Sequence, residues 1–206
     1  MRLYRDKKKM ICPGGALLLA VLVTAGICGE VRRTSLQKHL ADEVFRFHVL
    51  ANSDSEKDQA LKMKVKERVI SYMHGELPDS QSMEMTENWA RLHLTEIHEI
   101  ARMALEQEGC QDDVAVEVTN CYFPDKTYGD VTFPQGYYHA LRIKIGEAKG
   151  QNWWCVLFPN LCFVDSIHAV VPEEGKEDLK EVLTEEEYEM VTATSKFRVK
   201  WFFFGS

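Results

Sequence analysis

The stretch VFRFHVLANSDSEKDQALKMKVK, residues 44–66, decides the fold, because it passes from a strand pattern to a helix pattern at one polar turn. Phe45, Phe47 and Val49 recur with the two-residue period of a β-strand. The short polar side chains of residues 52–55 then stop the strand, and Ser53 and Ser55 each stand three residues before an acidic residue, the spacing of a helix capping box. We therefore expect a strand that ends directly at the N-terminus of a helix.

The expected helix, about residues 56–73, separates two stripes of side chains. The apolar stripe contains Leu61, Val65, Val69 and Tyr72, and the basic stripe contains Lys57, Lys64 and Arg68. A basic stripe on an acidic protein can steer a partner or face anionic lipid. A solvated helix face explains the same residues, so Lys64 and Arg68 are candidate partner contacts with a simpler alternative.

The sequence after this helix predicts a second helix and three strands. The helix is expected over residues 84–107, and the strands over residues 113–123, 137–145 and 152–158. A turn-rich connection fills residues 124–136. This order, strand-helix-helix-strand-strand-strand, predicts an α+β fold with one small mixed or antiparallel sheet and two packed helices.

The last predicted strand is apolar on both faces. Trp153, Cys155 and Leu157 alternate with Trp154, Val156 and Phe158. Such a strand is covered on both faces, or it presents one face to a partner.

The N-terminus has the pattern of an export segment. Basic residues between 2 and 9 precede an uncharged run over residues 10–29, whose apolar centre is Ala16–Val23. A cleaved signal and a retained membrane anchor that holds residues 10–29 in the bilayer both fit this pattern. Both place the rest of the chain outside the cytoplasm, where residues 30–43 read as a stalk and residues 44–171 as the α+β domain.

Charge is distributed unevenly along the chain. Residues 1–29 carry a net charge of +4, so the remainder of a chain with net charge −7 stands at −11. An acidic body argues against nucleic-acid binding, which depends on neutralised phosphates. Residues 172–206 form a tail that is acidic and then aromatic, and we expect truncation after Ser166 to weaken activation of the partner less than Tyr128→Ala does.

The cysteine pattern leaves the pairing open. Four cysteines follow the export segment, and in an exported domain they allow three pairings. A chain reversal at Pro159 and Asn160 would bring Cys155 and Cys162 together as a disulfide. Two buried free thiols are the alternative.

Motifs for catalysis are absent from the sequence. It contains no phosphate-binding loop, no dinucleotide fingerprint, no Gly-x-Ser-x-Gly elbow and no pair of histidines at zinc-ligand spacing, so we expect neither a cofactor nor a metal. His48, Ser53 and Asp54 form a conceivable hydrolase set at the strand-to-helix turn. Helix capping explains Ser53 and Asp54 more simply, and we expect the protein not to be an enzyme.

Aromatic side chains gather in the turn-rich connection. Tyr128 lies between Lys126 and Asp130, and Phe133 follows. Aromatic residues on loops are frequent anchors of protein interfaces, although core packing is the commoner reason for an aromatic residue. These four residues are therefore candidate partner contacts.

Three stretches resemble one known family. Residues 45–66, 122–136 (YFPDKTYGDVTFPQG) and 141–165 (LRIKIGEAKGQNWWCVLFPNLCFVD) are similar to the stage II sporulation protein R of endospore-forming bacteria. The resemblance implies a signal exported from the forespore into the intermembrane space. There it would be needed for a membrane-embedded aspartic protease of the opposing mother-cell membrane to process the sigma-E precursor.

The resemblance implies a protein partner and no chemistry of the chain's own. It also implies a shared structural role for Cys155 and Cys162, which fall within the third stretch. The alternatives to this function are the hydrolase built on His48, Ser53 and Asp54, and a structural module of the cell envelope.

Overall fold

The structure is a computed structural model that describes residues 13–77, 82–162 and 171–193, with side chains from residue 20 onward. The chain divides into two compact units, Met1–Leu36 and Gln37–Ser206. Helix α1, Pro13–Asp42, begins in the first unit, and its last residues belong to the second. None of the helices in the described ranges combines the length and apolar character needed to cross a membrane. The predicted basic segment at residues 2–9 and the aromatic end at 196–204 lie outside the described residues.

The second unit holds all of the remaining elements. In chain order they are β1 (Phe45–Leu50), α2 (Glu56–Glu76), α3 (Met83–Leu92), α4 (Leu94–Gln107), β2 (Val114–Phe123), β3 (Lys126–Tyr128), β4 (Val131–Phe133), β5 (Gly136–Ile145), β6 (Asn152–Phe158), α5 (Glu173–Val182) and α6 (residues 185–193).

The central sheet has four strands in the order β2-β5-β1-β6. Strand β1 is parallel to β5 and antiparallel to β6, and β2 is antiparallel to β5. The fold is therefore α+β with a mixed sheet, as the sequence predicts.

The structure has more helices and strands than the sequence predicts, in three places. The predicted helix over 84–107 is two helices, because the backbone leaves the helical region at His93, whose ring stacks on Trp89 at 4.2 Å between centroids. The turn-rich connection contains the hairpin β3–β4. The predicted tail contains α5 and α6.

Helices α2, α3 and α4 cover the first face of the sheet. Alternation along β1 directs Phe45, Phe47 and Val49 to this face, where they pack with apolar residues of the three helices. These include Val65, Val69, Ala90, Ile97 and Ala101, all with 0% exposure. The apolar stripe predicted on the first helix is thus core.

A second core covers part of the opposite face. Tyr138 and Ala140 of β5 and Val156 of β6 pack there with Leu40, with Val131 and Phe133 of the hairpin, and with Leu179 and Val191 of the acidic segment. Leu179 and Val191 both have 0% exposure, so the segment predicted as a tail contributes core side chains. Strand β6 therefore has packed side chains on both faces.

Cys155 and Cys162 form a disulfide. Their Cα atoms are 5.5 Å apart, within the usual range for such a bond. Cys110 is buried and Cys121 half-buried, and both are free.

Candidate functional site

The turn between β1 and α2 is held by hydrogen bonds among its own side chains. Ser53 Oγ donates to Asp58 Oδ2 at 2.6 Å, and Asn52 Nδ2 donates to the same oxygen at 3.1 Å. Ser55 is the N-cap of α2, since its Oγ accepts from the Asp58 backbone N–H at 3.1 Å. The hydrogen bond from Ser53 is the main cause of a lowered pKa at Asp58.

The same turn is joined to the turn between β5 and β6. Asn52 Oδ1 accepts from the backbone N–H of Glu147 at 2.9 Å, and Asp54 Oδ1 accepts from that of Gln151 at 2.6 Å. A Cβ placed on Gly150 would collide with the carbonyl oxygen of Ser53, so the two turns meet backbone to backbone. The polar residues of this stretch therefore serve the local structure.

His48 belongs to a different environment. It is 4% exposed, and its ring stacks on Trp154 with centroids 3.8 Å apart. Burial, together with the charge of Arg142, lowers its pKa to about 3, although the nearby Asn152 side chain opposes this shift. An imidazole with so low a pKa is a poor general base at neutral pH.

The three residues of the conceivable hydrolase therefore do not form a catalytic set. The Ser53 hydroxyl is donated to Asp58 and the Asp54 carboxylate accepts from Gln151. In the described residues, no hydrogen bond joins either side chain to His48. This arrangement explains a capped, anchored turn and supplies no activated nucleophile.

Arg46 is a buried charged residue that the sequence analysis did not single out. It has 0% exposure, and its guanidinium lies 4.1 Å from the ring centroid of Phe123 and 4.9 Å from that of Tyr138. Its Nη2 donates to Tyr128 Oη at 2.8 Å. The available signal was a charge inside an apolar strand of a chain rich in aromatic residues.

Both aromatic contact candidates, Tyr128 and Phe133, lie beside the guanidinium of Arg46. Phe133 has 0% exposure, and its ring centroid lies 5.6 Å from the Arg46 guanidinium, so its ring packs in the second core. Tyr128 is half-buried, and burial raises its pKa although the charge of Arg46 opposes the shift. The electron-rich faces of these rings offset the charge of the buried guanidinium.

Asp130 is also engaged within the fold. Its Oδ1 accepts from the backbone N–H of Val171 at 2.9 Å, and its Oδ2 lies 2.9 Å from Lys176 Nζ. Burial alone would raise the pKa of Asp130, but the hydrogen bonds from Lys176 and Val171 outweigh burial and lower it. Asp130 thus ties the hairpin to α5.

The basic candidates remain nearer the surface. Lys126 is half-buried, with Nζ 5.4 Å from the ring centroid of Trp154. Lys64 and Arg68 are exposed on α2, where Arg68 Nη2 donates to Gln107 Oε1 at 3.0 Å. The candidates therefore lie on two separate surfaces, one at the hairpin and one on α2.

Metal chemistry finds no support in the described part of the chain, where no group of three His, Cys, Asp or Glu side chains could hold an ion.

Comparison with known proteins gives one consistent result. The family model described as stage II sporulation protein R matches residues 41–168, the segment that contains the six strands of the described residues. The "Stage II sporulation protein R" of Bacillus subtilis (strain 168) is 35% identical over 198 residues, which cover 92% of this chain and 86% of that protein. No solved structure matches the chain.

Proposed function

Because the chain belongs to the stage II sporulation protein R family, we propose that it is an exported sporulation signal that activates a membrane-embedded aspartic protease. That protease then processes the sigma-E precursor. The observation that carries this proposal is the family match over residues 41–168, together with a relative that is 35% identical over nearly the whole chain. We place the protein in the intermembrane space of the sporulating cell, secreted or held there by its N-terminal segment.

The chemistry of the described residues supports action by contact. The polar residues of the β1–α2 turn are bonded to one another, and His48 is buried with a pKa of about 3. A protein that acts by binding needs exposed side chains on a rigid base, and the sheet with its two cores provides one. We propose Lys126 and the exposed rim of Tyr128 as one contact surface, and Lys64 with Arg68 as a second.

The test is complementation. In an endospore former that lacks its own family member, expression of this chain is expected to restore processing of the sigma-E precursor, measured by immunoblot through sporulation. Co-purification with the membrane protease tests the contact directly. Unprocessed precursor in a strain that exports normal amounts of the folded chain would refute the proposal.

The hydrolase alternative has its own test. Ser53→Ala removes the hydroxyl donated to Asp58 and is expected to cost about 0.5–1.5 kcal/mol of stability, the usual net contribution of one hydrogen bond. We expect the variant to restore processing fully. A folded, normally abundant Ser53→Ala protein that gives no processing would instead favour catalysis at Ser53.

A further inference from the structure

The second face of the sheet carries surface charge next to the second core. Three side chains on β2 and β5 keep substantial exposure there: Glu117 at 38%, Arg142 at 29% and Lys144 at 32%. Strand alternation places Arg142 and Lys144 on the same face as the buried Tyr138 and Ala140. The sheet therefore presents a partly open area beside its covered half.

The charge of this area differs from that of the chain. Arg142 Nη1 and Lys144 Nζ lie 3.6 Å and 3.1 Å from Glu117 Oε1, so two cations share one carboxylate. Lys126 reaches the area from the hairpin, over the ring of Trp154. We call Lys126, Arg142, Lys144, Glu117, Trp154 and His48 the basic sheet patch. Its three cations outnumber its carboxylate in a chain of net charge −7.

An unused hydrogen-bond donor points to a ligand. His48 lies in register between Arg142 on β5 and Trp154 on β6. Arg142 Nε makes no hydrogen bond to any of the described residues. Buried polar atoms are almost always paired in folded proteins, so an unpaired guanidinium nitrogen in this row of the sheet needs an explanation. An acceptor supplied from outside would pair at least the guanidinium.

We propose that the basic sheet patch binds an acidic peptide segment of the partner protein. This inference rests on the proposed function, which requires a protein partner. Aspartate and glutamate carboxylates match the patch because Arg142 can donate to one in bidentate fashion. The partly exposed ring of Trp154 offers an apolar anchor beside them.

Charge density favours a peptide over a membrane. Recognition of anionic lipid usually involves clusters of about four to eight Lys or Arg residues. The patch has three cations and one carboxylate on the face of a sheet. A short acidic segment needs no more than this.

The experiment uses the full chain and a blocked hexaglutamate peptide, with hexaglutamine as the neutral control. We expect the glutamate peptide to bind, to shift the Trp154 indole resonance, and to bind more weakly at higher salt. The double variant Arg142→Glu/Lys144→Glu should weaken binding at least about tenfold, as expected for close charge pairs at an interface. Lys38→Glu/Lys180→Glu changes two exposed lysines elsewhere by the same net charge and should bind within about twofold of wild type.

Any one of the next three results would overturn the inference. Equal binding by both double variants, or equal binding of hexaglutamine, refutes the patch. Loss of phosphatidylserine-vesicle binding in the Arg142/Lys144 variant without peptide binding in the wild type assigns the surface to a membrane. If the reversal variant unfolds, Arg142→Gln/Lys144→Gln replaces it with the same expectation. Because peptide binding is measured outside the cell, it can succeed while complementation fails, or the reverse.

Discussion

At the scale of single residues, Arg46 organises the second core. Strand alternation turns it away from Phe45 and Phe47, into a site surrounded by Phe123, Tyr138 and other rings. A buried cation is costly unless its charge is compensated. Here the compensation comes from aromatic faces and from one hydroxyl, that of Tyr128.

Tyr128→Phe tests this arrangement by removing only the hydroxyl. The change leaves another guanidinium nitrogen without an acceptor, so we expect the free energy of unfolding to fall by about 1.5–3 kcal/mol, the range for hydrogen bonds to charged groups. Urea denaturation measures it. Tyr137→Phe is the matched control, since Tyr137 is 67% exposed, and should change stability by less than about 0.5 kcal/mol. If both variants unfold at the same urea concentration as wild type, the Tyr128 hydroxyl does not stabilise Arg46.

His48 predicts how stability depends on pH. Its pKa is about 3 in the folded protein against 6.5 in a model peptide. Below pH 6.5 the unfolded chain therefore takes up a proton that the folded protein refuses, so stability falls as the pH falls toward 3. Between about pH 7.5 and about pH 5.5 this costs about 1.4 kcal/mol.

The variant His48→Phe isolates that contribution, because it keeps an aromatic ring on Trp154 and removes the titration. Urea denaturation at both pH values should show a drop in wild type that exceeds the drop in the variant by about 1.4 kcal/mol. Parallel pH profiles for the two proteins would show that His48 titrates normally when folded.

At the scale of elements, the contact between the β1–α2 turn and the β5–β6 turn fixes the start of α2. Gly150→Ala should destabilise the protein by about 1–3 kcal/mol, because the new Cβ meets the Ser53 carbonyl oxygen and backbone must move. Gly75→Ala is the control within α2. Nothing lies within 4 Å of its added Cβ, so it should stabilise the helix by about 0.5–1 kcal/mol. Thermal melts of the two variants should move in opposite directions.

Residues with a local signal were predicted well from sequence. The strand at Phe45–Leu50, the cap at Ser55 and the strand at Asn152–Phe158 follow from short-range pattern and agree with the structure. Arg46 and Phe133 could not be placed, because their burial depends on residues more than 70 positions apart meeting across the sheet. The same holds for the patch, where β1 separates β5 from β6.

The acidic segment was also not predicted correctly from sequence, because the burial of its side chains depends on residues far away in the chain. Nine acidic residues between 173 and 189 suggest a solvated tail, yet Leu179 and Val191 are fully buried. We therefore reverse the expectation that truncation after Ser166 is milder than Tyr128→Ala. Leu179→Ala should lower the free energy of unfolding by about 2–5 kcal/mol, as for other buried leucines, whereas Glu177→Ala should change it by less than about 0.5 kcal/mol. Equal denaturation curves for the two variants would restore the tail interpretation.

At the scale of the whole molecule, the two signs of charge lie in different parts of the chain, the positive charge at the N-terminus and the negative charge in the body. The charge of +4 lies in residues 2–9, before the apolar run, which favours an N-terminus that stays in the cytoplasm and a body of charge −11 that leaves it. An acidic body that carries a local basic patch repels most anionic partners. It would accept only those that reach the patch, a combination suited to selectivity.

Export is therefore expected to be obligatory for function. Replacing Leu18, Val21 and Leu22 with Asp should hold the protein in the cytoplasm, since each charge costs about 2.5–3.5 kcal/mol at the centre of an inserting helix. The control Leu18→Ile/Val21→Leu/Leu22→Ile keeps the run apolar and should export normally. Fractionation and protection from added protease measure location, and immunoblots of the sigma-E precursor measure signalling in the same cells. The three substitutions lie outside residues 44–171, so lost processing would follow from retention in the cytoplasm, including its effect on the Cys155–Cys162 disulfide. Normal processing by Asp-variant protein that remains in the cytoplasm would contradict an extracytoplasmic signal.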